Sequence, residues 1–141
     1  MVNGIVIIML IIEAISDIRT QTVSCIRLLA FAMLGITINY CLVYQSVISI
    51  IGGVIVGIVL FAYAFWSKGA IGLGDGAVFI CLGIYLGLSD NMRLLFLSLV
   101  GAAVVGGIYG LITKKGLKAK IPFLPCILIA YVVMTIMEVL N

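Results

Sequence analysis

The chain has 141 residues, 65% of them hydrophobic and 9% charged, with a net charge of +3 and no histidine. Soluble domains carry about 25% charged residues, so this composition excludes an ordinary water-soluble globule and places the chain in a membrane. A spanning helix needs about 20 apolar residues, which limits the chain to about six or seven spans and leaves no room for an extramembrane domain. Without histidine there is no Ser-His-Asp or Cys-His nucleophile system and no HExxH metal site. The excess of basic residues reports topology first, and nothing in it argues for nucleic acid.

Six apolar stretches follow in chain order: residues 2–16, 26–44, 47–66, one ending at 88, 94–112 and 121–140. They predict an all-α, polytopic membrane protein of six transmembrane helices, joined by short connections around 18–25, 45–46, 67–74, 89–93 and 113–120. No repeat or linker divides the chain, so residues 1–141 are expected to form a single domain. With alternating loops, Arg19, Arg27, Lys68, Lys114, Lys115, Lys118 and Lys120 fall on one side and Arg93 alone on the other. The positive-inside rule then puts loops one, three and five in the cytoplasm and both termini outside. Segment one carries Glu13 and has its basic residues after the apolar run, unlike a cleavable signal peptide.

Gly53-x-x-x-Gly57, Gly83-x-x-x-Gly87 and Gly106-x-x-x-Gly110 offer small-residue faces, for packing within the chain or in a homodimer. Cys25, Cys41, Cys81 and Cys126 show no CxxC pairing and read as free thiols. The lysines before the last segment are also suited to acidic lipid headgroups.

An ionisable residue at membrane depth is by default functional, so each of the five carboxylates needs a position. Residues 1–16 make only about 24 Å of helix, short of a roughly 30 Å hydrocarbon core, so the first helix should include Asp17. Residues 77–88 make about 18 Å, so the fourth helix should start near Gly74 and draw Asp75 to the same cytoplasmic depth as Asp17. Asp90 and Glu138 fall on the opposite side. Glu13 lies one turn deeper than Asp17 on the same helix face and reads as a supporting partner. Two carboxylates in a partly dry site do not readily both ionise, which makes them an acid-base pair for hydrolysis. The bland reading has Asp17 meeting Arg19 or Arg27 at a helix end and Asp75 capping the fourth helix. No metal is needed for this chemistry and no cofactor is expected.

Gly72-Leu73-Gly74-Asp75 matches the GxGD signature of intramembrane aspartyl proteases. Upstream, Ser16-Asp17-Ile18-Arg19-Thr20 with Val23 resembles the D-[IL]-R-x-x-x-I-P segment of type IV prepilin peptidases. Downstream, Lys120-Ile121-Pro122-Phe123-Leu124-Pro125 resembles that family's basic-then-IPFxP start to its last helix. The resemblance implies a membrane aspartic endopeptidase that removes the short basic leader of prepilin-like proteins at the cytoplasmic face of the cytoplasmic membrane, with Asp17 and Asp75 as its catalytic pair. It places Arg19 and the glycines Gly72 and Gly74 beside that pair. Pro122 and Pro125 are either a wall of the site or simply a helix N-terminus.

The chain has neither the cytoplasmic insertion with paired CxxC motifs nor the N-methyltransferase that goes with it in larger members. It looks like the compact forms that serve Tad/Flp-type pili, or like archaeal preflagellin peptidases. It departs from the family in having Val23-Ser24-Cys25 where I-P-N is usual, so that Ser24 caps the second helix in place of a proline turn, and Ala77 where a lysine is frequent. Two other readings stay open: a small proton-coupled transporter subunit using Glu13, and a noncatalytic membrane scaffold. A Ser67-Lys68 hydrolase is disfavoured, because adjacent residues on a helix point about 100° apart.

Overall fold

The computed structural model describes residues 2–20, 22–42, 45–67, 72–113 and 123–140. The connections with Lys68, Lys114, Lys115, Lys118, Lys120 and Pro122 lie outside the described residues. The chain is all-α: helices α1 (Val2–Thr20), α2 (Cys25–Leu42), α3 (Val47–Trp66), α4 (Leu73–Thr113) and α5 (Leu124–Leu140). Among the described residues, three stretches are long and apolar enough to cross a membrane, Cys25–Leu42, Val47–Trp66 and Leu73–Tyr109. With Ile26, Trp66 and Leu111 each more than four-fifths exposed, the outer surface suits lipid rather than water. This is a membrane protein.

The six apolar segments become five helices because the fourth and fifth are joined. Residues 89–93, expected as a connection, are helical, and the break falls instead at Gly87, with φ 70 and ψ −169. The two arms of α4 double back there. Asn91 Nδ2 donates to the carbonyl of Phe79 at 3.2 Å, two groups that a straight helix would hold about 18 Å apart. The loop expectation rested on the polar run Ser89-Asp90-Asn91, but Asp90 and the Asn91 amide nitrogen find partners in the folded chain. Asp90 Oδ1 accepts from Arg93 Nη1 at 3.4 Å, and fully buried Asn91 also donates to Gly53 O at 2.9 Å.

A break in an apolar environment leaves backbone groups that must be satisfied. Ile84 O accepts from Asn39 Nδ2 at 2.8 Å, Leu86 O accepts from Gln45 Nε2 at 3.3 Å, and Leu88 N–H donates to Ser49 Oγ at 3.2 Å. Side chains from α2, from the residues before α3 and from α3 itself thus close the gap. The backbone at Gly87 is one that only glycine adopts without strain, and a Cβ there would collide with Ser49. Gly87→Ala is expected to destabilise the fold by about 2 kcal/mol, checked by thermal unfolding in detergent.

The first arm of α4 is the centre of the packing. Phe79, Leu82 and Tyr85 are almost wholly buried, against Met9 and Leu10 of α1 and Leu124 and Ile127 of α5. Tyr85 fixes α2 by donating to Phe31 O. Between α3 and α4 the backbones touch: a Cβ on Gly53 would lie 2.7 Å from Gly83 O, and one on Gly57 2.5 Å from Ile80 Cα. Lipid tails are as apolar as leucine, so close approach of small residues, not water exclusion, holds such a pair together. Two of the three glycine steps therefore meet within the chain, whereas Gly101 and Gly107 on the second arm face open space.

Candidate active site

The site forms where three chain segments converge on the start of α4. Asp75 sits in the first turn of that helix. Its N–H donates to Gly72 O at 3.1 Å, and its Oδ2 accepts from Gly72 N–H at 3.2 Å. This is the reach-back half of a capping box, so the capping role considered for Asp75 is real. It occupies one oxygen only. Oδ1 has no hydrogen-bond partner among the described residues, in a side chain that is 8% exposed.

Asp17 comes from the last turns of α1 and is half-buried. Its Oδ2 accepts from Leu124 N–H at 3.4 Å, the first residue of α5 and 107 positions away. A helix N-terminus presents unpaired N–H groups and a partial positive charge, which suits a carboxylate there. Asp17 and Asp75 lie within Coulombic range of each other. Each carboxyl group is thus held at a helix start, half-buried Asp17 at that of α5 and buried Asp75 at that of α4.

Close backbone approach brings the remaining walls in. Gly74 lies against Val23 of the α1–α2 corner, and a Cβ on Gly76 would lie 2.6 Å from Phe61 Cα of α3. Gly72, whose N–H holds Asp75, would carry a Cβ 2.9 Å from the Asp75 carboxylate. Gly74→Ala is therefore expected to push the corner away from Asp75 and cut activity by about 10-fold, with Val23→Ala in the same chain restoring most of it. Steady-state rates of the single and double variants check this.

Of the other residues read from the sequence, Pro125 stands in the first turn of α5, beside the Leu124 that meets Asp17, as a helix-start proline does. Pro122 lies outside the described residues. Arg19 is exposed on the last turn of α1. Ser24 begins α2 through its carbonyl, which accepts from Leu28 N–H at 3.1 Å.

Glu13 is completely buried, and Arg27, not Asp17, is its partner: Nε to Oε1 at 2.9 Å and Nη2 to Oε2 at 3.2 Å. Arg27 was considered only as a partner of Asp17 at a helix end, so its pairing with Glu13 is what sequence reasoning missed. Its only signal was a basic residue in the first turn of a helix, across a short corner from a buried acid. Asp90 pairs with Arg93, and Glu138 lies in the last turn of α5, at the other end from Leu124.

The model of the type IV leader peptidase family matches residues 4–111. The chain belongs to that family. The match runs from α1 into the second arm of α4 and includes both Asp17 and Asp75. No curated protein and no solved structure matches the chain. Family membership makes this a membrane peptidase of the leader peptidase type, acting on prepilin-type substrates.

Proposed function

We propose that this leader peptidase is an aspartic endopeptidase in which Asp17 and Asp75 together hydrolyse the bond between a short basic leader and the apolar helix of a Flp-type prepilin. The observation that carries the reading is the pair itself. Asp17 and Asp75 lie within Coulombic range of each other, and each accepts a backbone N–H at the start of a helix.

In the reaction, one carboxyl is protonated and the other charged. The charged one takes a proton from water as the water oxygen bonds to the scissile carbonyl carbon. The protonated one gives its proton to the carbonyl oxygen, forming a gem-diol. Collapse of the gem-diol transfers a proton to the amide nitrogen, breaks the C–N bond and releases the mature amine. The two aspartates then again hold one proton between them.

The bias of basic residues toward one set of loops supports a reading with six spans, both termini outside and the site at the cytoplasmic face of the cytoplasmic membrane. Residues 1–141 then work as a single domain and as a peptidase without N-methyltransferase activity. The transporter reading asks Glu13 to exchange protons freely. Both of its oxygens are engaged by Arg27, which favours the peptidase.

Co-expression with short Flp-type prepilins, read by gel shift and product mass, tests the proposal. The expected product is the mature chain with an unmethylated N-terminus. A wild-type enzyme that leaves every such leader in place would falsify the assignment, and an added methyl group would remove the peptidase-only part of it.

A further inference from the structure

Residues 21–24, which join α1 to α2, are Gln-Thr-Val-Ser, with neither proline nor glycine to set the turn. A chain of side-chain bonds holds this corner instead. Arg27 Nη2, besides meeting Glu13, donates to Ser16 Oγ at 2.8 Å. Ser16 Oγ in turn donates to Thr22 O at 3.3 Å. Thr20 Oγ1 donates to Ser16 O at 2.9 Å and lies 2.8 Å from Thr22 Oγ1.

Glu13, Ser16 and Thr20 bracket Asp17 on its own helix, and Val23, within the same corner, packs against Gly74 one residue before Asp75. The planar guanidinium reaches Glu13 with two donors and Ser16 with a shared third bond, a geometry that a lysine ammonium does not reproduce. The ion pair is neutral as a unit, so it stiffens the corner without placing a net charge beside the aspartates.

We propose that Arg27, anchored on Glu13, is a positioning residue that sets the separation of Asp17 and Asp75 by holding the α1–α2 corner closed through Ser16. The proposal rests on the peptidase reading for its kinetic consequence and on the fold alone for its geometric one.

Two experiments test it. In the first, leader cleavage is followed for wild type, Arg27→Met and the double variant Glu13→Leu/Arg27→Met. Removing one partner strands a buried charge, whereas replacing both by apolar groups often keeps or raises stability. Arg27→Met is expected to lower kcat by about 10- to 100-fold with KM little changed and the pH profile displaced, because the aspartate spacing is altered. The double variant is expected to regain thermal stability but not kcat. Recovery of kcat together with stability, or an unchanged kcat in Arg27→Met, overturns the positioning role and leaves a purely structural ion pair.

The second experiment needs no activity. In a full-length chain with its four cysteines replaced by alanine, Asp17→Cys and Asp75→Cys are oxidised to a disulfide with Arg27 present or replaced by methionine. Cross-linking is expected to slow by at least about 10-fold without Arg27, since closure depends on the two positions meeting. An unchanged rate overturns the proposal even if the double variant fails to fold. A wild type that cleaves nothing overturns the peptidase reading and leaves this geometric test in force.

Discussion

Asp75→Asn and Asp17→Asn are each expected to reduce leader cleavage by about 1,000-fold or more, with the variants still folded and inserted. Asparagine keeps the shape of aspartate and an oxygen that accepts from Gly72 N–H or Leu124 N–H, so the helix starts at α4 and α5 are preserved. What it removes is a group able to hold or release a proton. Because the proposed mechanism uses the two carboxyls as one unit, the double variant is expected to be no worse than either single one. Glu13→Gln is expected to be milder, since the partner of Glu13 is Arg27 and not either aspartate. A transporter would show the reverse order, failing first at Glu13. Cleavage rates with a co-expressed prepilin, normalised to protein recovered from the membrane fraction, decide between these outcomes. Survival of cleavage in either aspartate variant ends the two-carboxylate mechanism.

The largest loss of stability is expected at Gly57. A Cβ there would lie 2.5 Å from Ile80 Cα and 2.6 Å from the carbonyl carbon of Phe79. These are backbone atoms in the middle of the packed arm of α4, and no rotamer change relieves the overlap. Gly57→Ala must therefore separate α3 from α4 and is expected to cost about 3 kcal/mol, at the upper end for overpacking. Gly101→Ala, on the outward second arm with nothing within 4 Å, is the control and is expected to be neutral or slightly stabilising. Unfolding in detergent at increasing denaturant separates the two. The Gly57 variant is expected to lose structure and cleavage together, unlike the aspartate variants, which lose cleavage alone.

Much of this protein is legible in one dimension. With 65% hydrophobic and 9% charged residues, membrane helices were the only available fold class. Charges are so scarce that each aspartate could be examined separately. Helix length then required α1 to run beyond Ser16 and α4 to begin before Ala77, and the helices do end at Thr20 and start at Leu73. The GxGD and D-I-R motifs point to the family to which the chain belongs. Composition and rise per residue act locally, so these features need no knowledge of the fold.

The tertiary structure decided the rest, because it depends on what each residue meets across the chain. The near-continuous hydrophobicity carries no period that distinguishes a packed face from a lipid-facing one, so the sequence did not show that Gly53 meets Gly83 while Gly101 meets nothing. The polar run at 89–91 read as a loop, yet Asn91 is buried in the fold and the chain turns at Gly87, where Asn39, Gln45 and Ser49 satisfy the broken backbone. The partner of Glu13 could have been any nearby base or none; the corner that brings the first turn of α2 back to α1 made it Arg27. The start of α5 beside Asp17 joins residues 107 positions apart. Sequence determined which groups this membrane protein has for chemistry and on which helix ends they stand. Only helix packing, through contacts of long sequence separation, determined which of them face each other.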